Sequence, residues 1–179
     1  MVSSEGFVRR EKAFTVNGGD AIVYYERAPS DEDTRSLLTR LLDTVAGWVV
    51  FTLRYSDTHE QKKRRSEYAA KNRAALESIG KEVKDMLILA SLATAPSKQR
   101  RGYGTALVRE VTQIADAQGR DTILTSSNIA NTAFYESCGF RMVRQYQLGD
   151  ENPAWRHEPV VLHILVRPNT CAGAEDKGY

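Results

Sequence analysis

Residues 99–104 read Gln-Arg-Arg-Gly-Tyr-Gly and lie between an apolar run, residues 86–94, and a stretch from Thr105 in which Leu107, Val111, Ile114 and Ala115 recur at helical spacing. A strand, a glycine loop and a helix in that order make a cradle for an anion. Glycine lets the backbone turn tightly and approach closely, and the first helical turn leaves N–H groups without intrahelical partners. A pyrophosphate is the natural guest. Two common nucleotide loops are excluded: no Gly-Lys-Ser/Thr follows, and Leu107 stands where a dinucleotide loop carries its third glycine.

Outward from this loop the chain alternates strand and helix patterns. Residues 86–94 are almost wholly apolar, as in a central strand buried on both faces, and Pro96 stops it. The helix over 105–118 is closed by Gly119, and 122–126 returns as a neighbouring strand. After Ser126-Ser127-Asn128, a short helix through Phe134 and Tyr135 ends at Gly139, and 140–148 and 160–166 form a final strand pair. Upstream, residues 7–20 carry no clear pattern until Asn17-Gly18-Gly19-Asp20 turns the chain into a strand at 21–25. Ser30 or Asp31 caps a helix with Leu37, Leu38, Leu41, Leu42 and Val45 on one face, ending near Gly47; residues 48–55 read as a strand. Residues 58–81 read as a solvent-facing amphipathic helix with Tyr68, Ala69, Leu76 and Ile79 on one side. The run Lys62-Lys63-Arg64-Arg65 is a solvated face of it, and Asn152-Pro153 with Trp155 either fixes a turn between the last strands or lines a substrate pocket.

A chain of 179 residues with ordinary composition is expected to be one domain with a real core. A net charge of +2 is too small to argue for nucleic-acid or membrane-surface binding. The first ten residues lack the apolar core of a secretory leader and no run approaches a membrane span, so a soluble, cytoplasmic protein is expected. Only Cys138 and Cys171 are present, too few for a disulfide scaffold or a cysteine-rich zinc site; both are expected as free thiols, and no metal is expected.

The approach Leu92-Ala93-Thr94-Ala95-Pro96-Ser97-Lys98-Gln99 to the loop, with Asn131-Thr132-Ala133-Phe134-Tyr135-Glu136-Ser137-Cys138-Gly139-Phe140 downstream, resembles the GNAT family of acetyl-CoA-dependent N-acetyltransferases. The resemblance covers residues 84–168, and the wording is most similar to fungal members of unassigned substrate. It implies an α/β GNAT-like fold, a central mixed sheet flanked by helices, as a single domain over 1–179 with a coenzyme-binding core at 84–168 and a loose tail at 169–179. The N-terminal half departs from the family plan and is expected to be reduced, or completed by a partner chain such as a second copy in a homodimer.

By that resemblance the main chain of Leu92, Ala93 and Thr94 pairs with the pantetheine and polarises the thioester carbonyl. Gln99, Arg100, Arg101, Gly102, Tyr103, Gly104 and Thr105 hold the pyrophosphate. Tyr135 stands where the family has its general acid, and a phenol with an ordinary pKa near ~10 suits proton delivery to a departing thiolate. Asn128 and Asn131 fit either coenzyme contact or plain turn formation and capping. Where many relatives carry a glutamate base, this chain has Ile88 and Ile123. Glu82, Asp85, His59 and His163, or a relay water, are the substitutes. The expected activity is direct acetyl transfer to a small-molecule amine; a silent acyl-CoA-binding module and a peptide acetyltransferase are the other readings.

Overall fold

The computed structural model describes residues 2–3, 7–8, 11–31, 58–153 and 155–170. The expected helix over 30–47, the strand over 48–55 and Cys171 lie outside those residues, apart from the capping positions Ser30 and Asp31.

Six strands of five to eight residues form one mixed sheet: β3 (Glu11–Val16), β4 (Ala21–Glu26), β5 (Leu87–Thr94), β6 (Thr122–Ser126), β7 (Arg141–Leu148) and β8 (Val160–Arg167). Their order is β3-β4-β5-β6-β8-β7, and two short strands, β1 (Val2–Ser3) and β2 (Phe7–Val8), pair along β3. Among the described strands only β5 and β6 run parallel. The N-terminal part is thus fuller than its sequence pattern suggested: residues 11–16 form β3, whose partner β4 follows the Asn17–Asp20 turn. Asn17, Gly18 and Gly19 all have positive φ there, which glycine and asparagine tolerate.

One face of the sheet is covered by α2 (Tyr103–Ala117) and α3 (Thr132–Ser137), the other by α1 (His59–Ile79). The α2 side is the dry one. Leu107, Val108, Val111 and Ala115 of α2 meet Val23, Leu87, Leu89, Leu124 and Leu165 from four strands, with Tyr135 and Phe140 closing the core. On the opposite side Met86, Ile123, Ile164 and Val166 make a smaller core.

Thr58 starts α1 with a reciprocal capping box to Gln61. None of its residues is buried, and the expected apolar side is corrected: Tyr68 is 43% exposed and Ala69 is exposed, while Ala75, Leu76 and Ile79 pack on the sheet. Its N-terminal half is lashed down by polar contacts instead. Lys63 Nζ donates to Asn152 Oδ1 at 2.8 Å, Asn152 Nδ2 donates to Glu60 Oε1 at 2.8 Å, Gly149 N donates to Glu67 Oε1 at 2.7 Å, and Lys71 pairs with Asp150. The Arg64 guanidinium lies 4.6 Å over the Trp155 ring. The basic run therefore holds the helix to the β7–β8 connection as well as facing water.

Asn169 and Thr170, the described residues beyond Pro168, are tied to the domain. Asn169 is buried; its N–H and side-chain amide both donate to Asp121 Oδ1, and Thr170 N donates to Asp116 Oδ1. Arg167 makes a two-pronged pair with Asp116 at 2.9 and 3.0 Å, tying β8 to the last turn of α2. Hydrogen bonding from Arg167 holds the Asp116 carboxyl below its ordinary value of 3.8. Stability from this pair is complete above that value and is lost as pH falls through the lowered one. Urea unfolding from pH 7 to 3 should therefore show wild type losing more stability than Asp116→Asn, the two converging at the acid end; parallel curves would show that the pair contributes nothing.

Candidate active site

The parallel strands β5 and β6 pair at two rungs only, Leu87↔Thr122 and Ile88↔Ile123, although β5 runs on to Thr94. They part because β5 carries an extra residue. Against β4 its register reads Tyr24↔Ser91 and then Tyr25↔Leu89, so Ala90 has no partner. Such a bulge bends its strand and increases its twist, and this one begins where the pairing with β6 stops. The step in the core confirms it: Leu87 and Leu89 face α2, and the next residue to do so is Leu92, three positions on.

Beyond the bulge the two strands make a fork. This corrects the expectation of a strand buried on both faces, since Ala90, Ser91 and Ala93 are exposed. The main chain there is directed by the β4 ladder. Ala95 N donates to Asp20 O at 2.9 Å, which marks a hydrogen-bonded rung, and rungs alternate. Ile22↔Ala93 is then hydrogen-bonded, whereas Ala21↔Thr94 and Val23↔Leu92 are not. Leu92 and Thr94 accordingly turn their N–H and C=O groups away from β4, into the fork. Ala93 does not; its groups belong to Ile22. Thr94 O takes a 3.4 Å hydrogen bond from Gln99 Nε2, which joins strand to loop.

At the mouth of the fork, Pro96–Lys98 makes one 3-10 turn and the chain then bends through Arg100, at φ 60, and Gly102, at φ 78. Gly102 caps α2 without any side-chain hydrogen bond, and the first helical bond runs from Ala106 N to Gly102 O. The N–H groups of Tyr103, Gly104 and Thr105 are thereby left for a ligand at the positive end of a 15-residue helix. Arg100 and Arg101 are exposed and form no ion pair among the described residues. Tyr103 is less available: its hydroxyl accepts from Asn17 Nδ2 at 3.1 Å, and Lys98 pairs with Asp20 at 3.2 Å, so the β3–β4 turn braces the loop.

The two glycines differ. A Cβ on Gly102 would meet nothing within 4 Å, which leaves its surface open to a ligand, while one on Gly104 would come 3.2 Å from the Phe134 ring. Gly104 is therefore small so that α2 and α3 can touch.

Tyr135 is 7% exposed, between Phe134 and Phe140, with ring centroids 5.1 and 6.0 Å away. Among the described residues its hydroxyl has no hydrogen-bond partner, yet it is not one of the sealed polar atoms. Burial pushes the phenol up from its ordinary 10.0. Asn128 does structural work: its Oδ1 accepts from Ala130 N at 3.0 Å and its carbonyl from Ser126 Oγ. Asn131 is exposed with its side chain uncommitted.

The apolar positions Ile88 and Ile123 face each other at the last rung before the fork and pack toward α1. Of the substitute bases, Glu82 and Asp85 sit in a 3-10 turn (Lys81–Asp85) leading into β5, at the closed end, and His59 is exposed at the start of α1. His163 is at the open end. It pairs in register with Ser126, and its Nδ1 lies 2.8 Å from Thr132 Oγ1 at the start of α3. Periodicity could not have singled it out, because the contact spans 31 residues. Among the described residues no group of three or more His, Cys, Asp or Glu is arranged to hold a metal, and no helix is long and apolar enough to cross a membrane.

The forked mixed sheet, with the uncapped N-terminus of α2 at its mouth, leaves main-chain donors free to receive an extended, anionic ligand. The chain belongs to the acetyltransferase (GNAT) family, whose sequence profile matches residues 8–140. No curated protein gives a match. Among solved structures it is similar to the ribosomal-protein-S18-alanine N-acetyltransferase from Escherichia coli, at 19% identity and TM-score 0.49, over 97% of this chain and 77% of that one. It is similar also to a GNAT family acetyltransferase from Elizabethkingia anophelis with acetyl-CoA bound, at 12% identity and TM-score 0.48, over 89% and 76%. The match to Chaetomium thermophilum Naa20 in complex with a bisubstrate analogue, at 22% identity and TM-score 0.41, covers 48% of each chain, so this chain spans about half the length of that protein.

The glycine geometry gives a paired test. Gly102→Val should weaken acetyl-CoA binding at least tenfold by calorimetry, with a stability cost of only ~1–2 kcal/mol for the left-handed backbone. Gly104→Val should lower the melting temperature more, because its side chain must displace Phe134. Equal binding and melting losses in the two variants would contradict the separate roles.

Proposed function

We propose that the protein is an acetyl-CoA-dependent N-acetyltransferase that acetylates the amine of a small-molecule acceptor by direct transfer, without a covalent enzyme intermediate. The fork carries this reading. Leu92 and Thr94 offer main-chain groups to a pantetheine lying along β5, and a phosphate-ended ligand running out of the fork meets the open N–H groups of α2 with Arg100 and Arg101 beside them. The residues present therefore fit acetyl-CoA, which is consumed as substrate. An acceptor of small size is supported by a groove of about 570 Å³ between α1 and the β7–β8 connection, lined by His59, Lys62, Lys63, Glu67, Lys71 and Asn152. It opens at the same end of the sheet as the fork.

In this reading the amine attacks the thioester carbon, and a Leu92 or Thr94 N–H steadies the developing oxyanion. Tyr135 supplies the proton to the departing thiolate. The phenol is protonated at neutral pH and so carries the proton to be given; burial, which pushes it up, makes it a weaker acid than a free phenol.

Thermal melting with saturating acetyl-CoA, then turnover against spermidine, tyramine, glucosamine and a peptide with a free amino-terminal alanine, tests the proposal. A melting shift with turnover of a small amine is expected; no shift removes the coenzyme, a shift without any turnover leaves a silent binding module, and turnover of the peptide alone moves the substrate class. Tyr135→Phe keeps the ring packing and should lower kcat by ~10²–10⁴-fold with the melting shift intact. Undiminished turnover would leave the thiolate's proton to water.

A further inference from the structure

The reaction needs a group to take the ammonium's proton, and the usual positions for it here are the isoleucines of the last β5–β6 rung. We propose that His163 takes that proton through Nε2, with Nδ1–H held by the Thr132 hydroxyl oxygen. This rests on the acetyltransferase reading above.

Three features on different elements place His163 for that step. Leu124 of β6 and Leu165 of β8 both face the α2–α3 core, and residues two apart on a strand share a face, so the paired Ser126 and His163 also face that side. Ser126 is the last residue of β6, at the open end of the fork. Thr132, which holds the imidazole, is three residues before Tyr135, so the two lie on neighbouring surface of the same short helix. One hydrogen bond thus ties the proposed base to the helix that carries the acid.

The two ring nitrogens are not equivalent. Nδ1 is engaged at 2.8 Å, whereas Nε2 makes no hydrogen bond to the protein and is not among the sealed polar atoms, so it is open to an incoming group. A threonine oxygen can accept from Nδ1–H in both the neutral and the charged imidazole, so the contact survives when Nε2 gains its proton. Glu82 and Asp85 have no comparable placement, since both lie at the closed end of the fork, and His59, although it lines the groove, starts α1 on the face away from Tyr135 and α3.

The proton balance is complete. One ammonium proton passes to Nε2, and the freed nitrogen lone pair bonds to the thioester carbon. As the carbon–sulfur bond breaks, the thiolate takes the Tyr135 phenolic proton, and the nitrogen's second surplus proton replaces it by way of solvent. The imidazolium then discharges to water, for a net release of one proton.

The test begins with ¹⁵N NMR of the ring nitrogens in the full chain, His163 being assigned by its loss in His163→Gln. The expected result at mildly alkaline pH is a protonated Nδ1 and a bare Nε2; the opposite tautomer overturns the proposal whatever the turnover. In kinetics with spermidine, tyramine and glucosamine, His163→Gln should lose ~10²–10⁴-fold in kcat while its melting shift with acetyl-CoA equals that of wild type. Equal turnover overturns the proposal. Should His163→Gln fold poorly, Thr132→Val keeps the shape and removes only the Nδ1 partner: it should mix the tautomers and lower kcat, and an unchanged tautomer with unchanged kcat again overturns it. A wild type that binds acetyl-CoA and acetylates none of these amines or the peptide counts against the acetyltransferase reading itself, while the tautomer still decides the geometry claimed for His163.

Discussion

One unpaired residue in β5 sets up the rest of the site. Ala90 has no partner on β4, so the strand bends away from β6 just after Ile88↔Ile123 and the sheet opens along its middle. An open parallel pair normally wastes main-chain hydrogen bonds, and burying such groups unpaired is costly. Here the fork stays in reach of solvent, so its N–H and C=O groups are solvated when empty and ready for an extended ligand. The alternation of the β4 ladder then selects which residues offer them, Leu92 and Thr94 rather than Ala93.

The two faces of the sheet are held by different forces. On the α2 side, fully buried side chains from four strands and two helices pack into a dry core, where each large residue contributes on the order of 2–5 kcal/mol against truncation. On the α1 side, the helix buries no residue completely and relies on ion pairs and amide contacts to the β7–β8 connection. Exposed pairs of that kind contribute ~0–1 kcal/mol each and weaken with salt. The rigid face carries the anion cradle and Tyr135. The compliant face borders the groove lined by His59, Lys63 and Asn152, whose walls are adjustable side chains.

What could be read from the chain alone follows from the range of each interaction. The loop, α2 and β6 were legible because their signals are local: glycines at turns, apolar residues at 3.6 spacing, a short apolar run ended by Ser126. The strand β3 was not, since its Glu, Lys and Thr residues look like surface chain until the Asn17–Asp20 turn folds them onto β4. The apolar side read for α1 holds at Leu76 and Ile79, which pack on the sheet, but not at Tyr68 and Ala69, which sit where polar lashing replaces burial. The motif assigns the Gly104 main chain to the ligand but could not show the packing that also needs a glycine there, because its neighbour in space, Phe134, lies 30 residues on. The bulge was invisible as well, for Ala90 differs from its neighbours only in having no partner.

The isoleucine rung shows why the chemistry and the architecture pull apart at this point. Ile88 and Ile123 form the vertex from which the fork opens, and both pack toward Met86, Ile164 and Val166 beneath α1. A carboxylate at the buried Ile123 would need partners that this apolar cluster does not hold, and burial would drive it to the neutral acid, useless as a base unless water entered beside it. Keeping the vertex apolar secures the last paired rung where the strands separate. A proton acceptor at the rim of the fork, half-solvated and still oriented, would avoid that conflict. A side chain on β8 opposite the end of β6, fixed by the first residue of α3, meets both conditions without weakening the vertex.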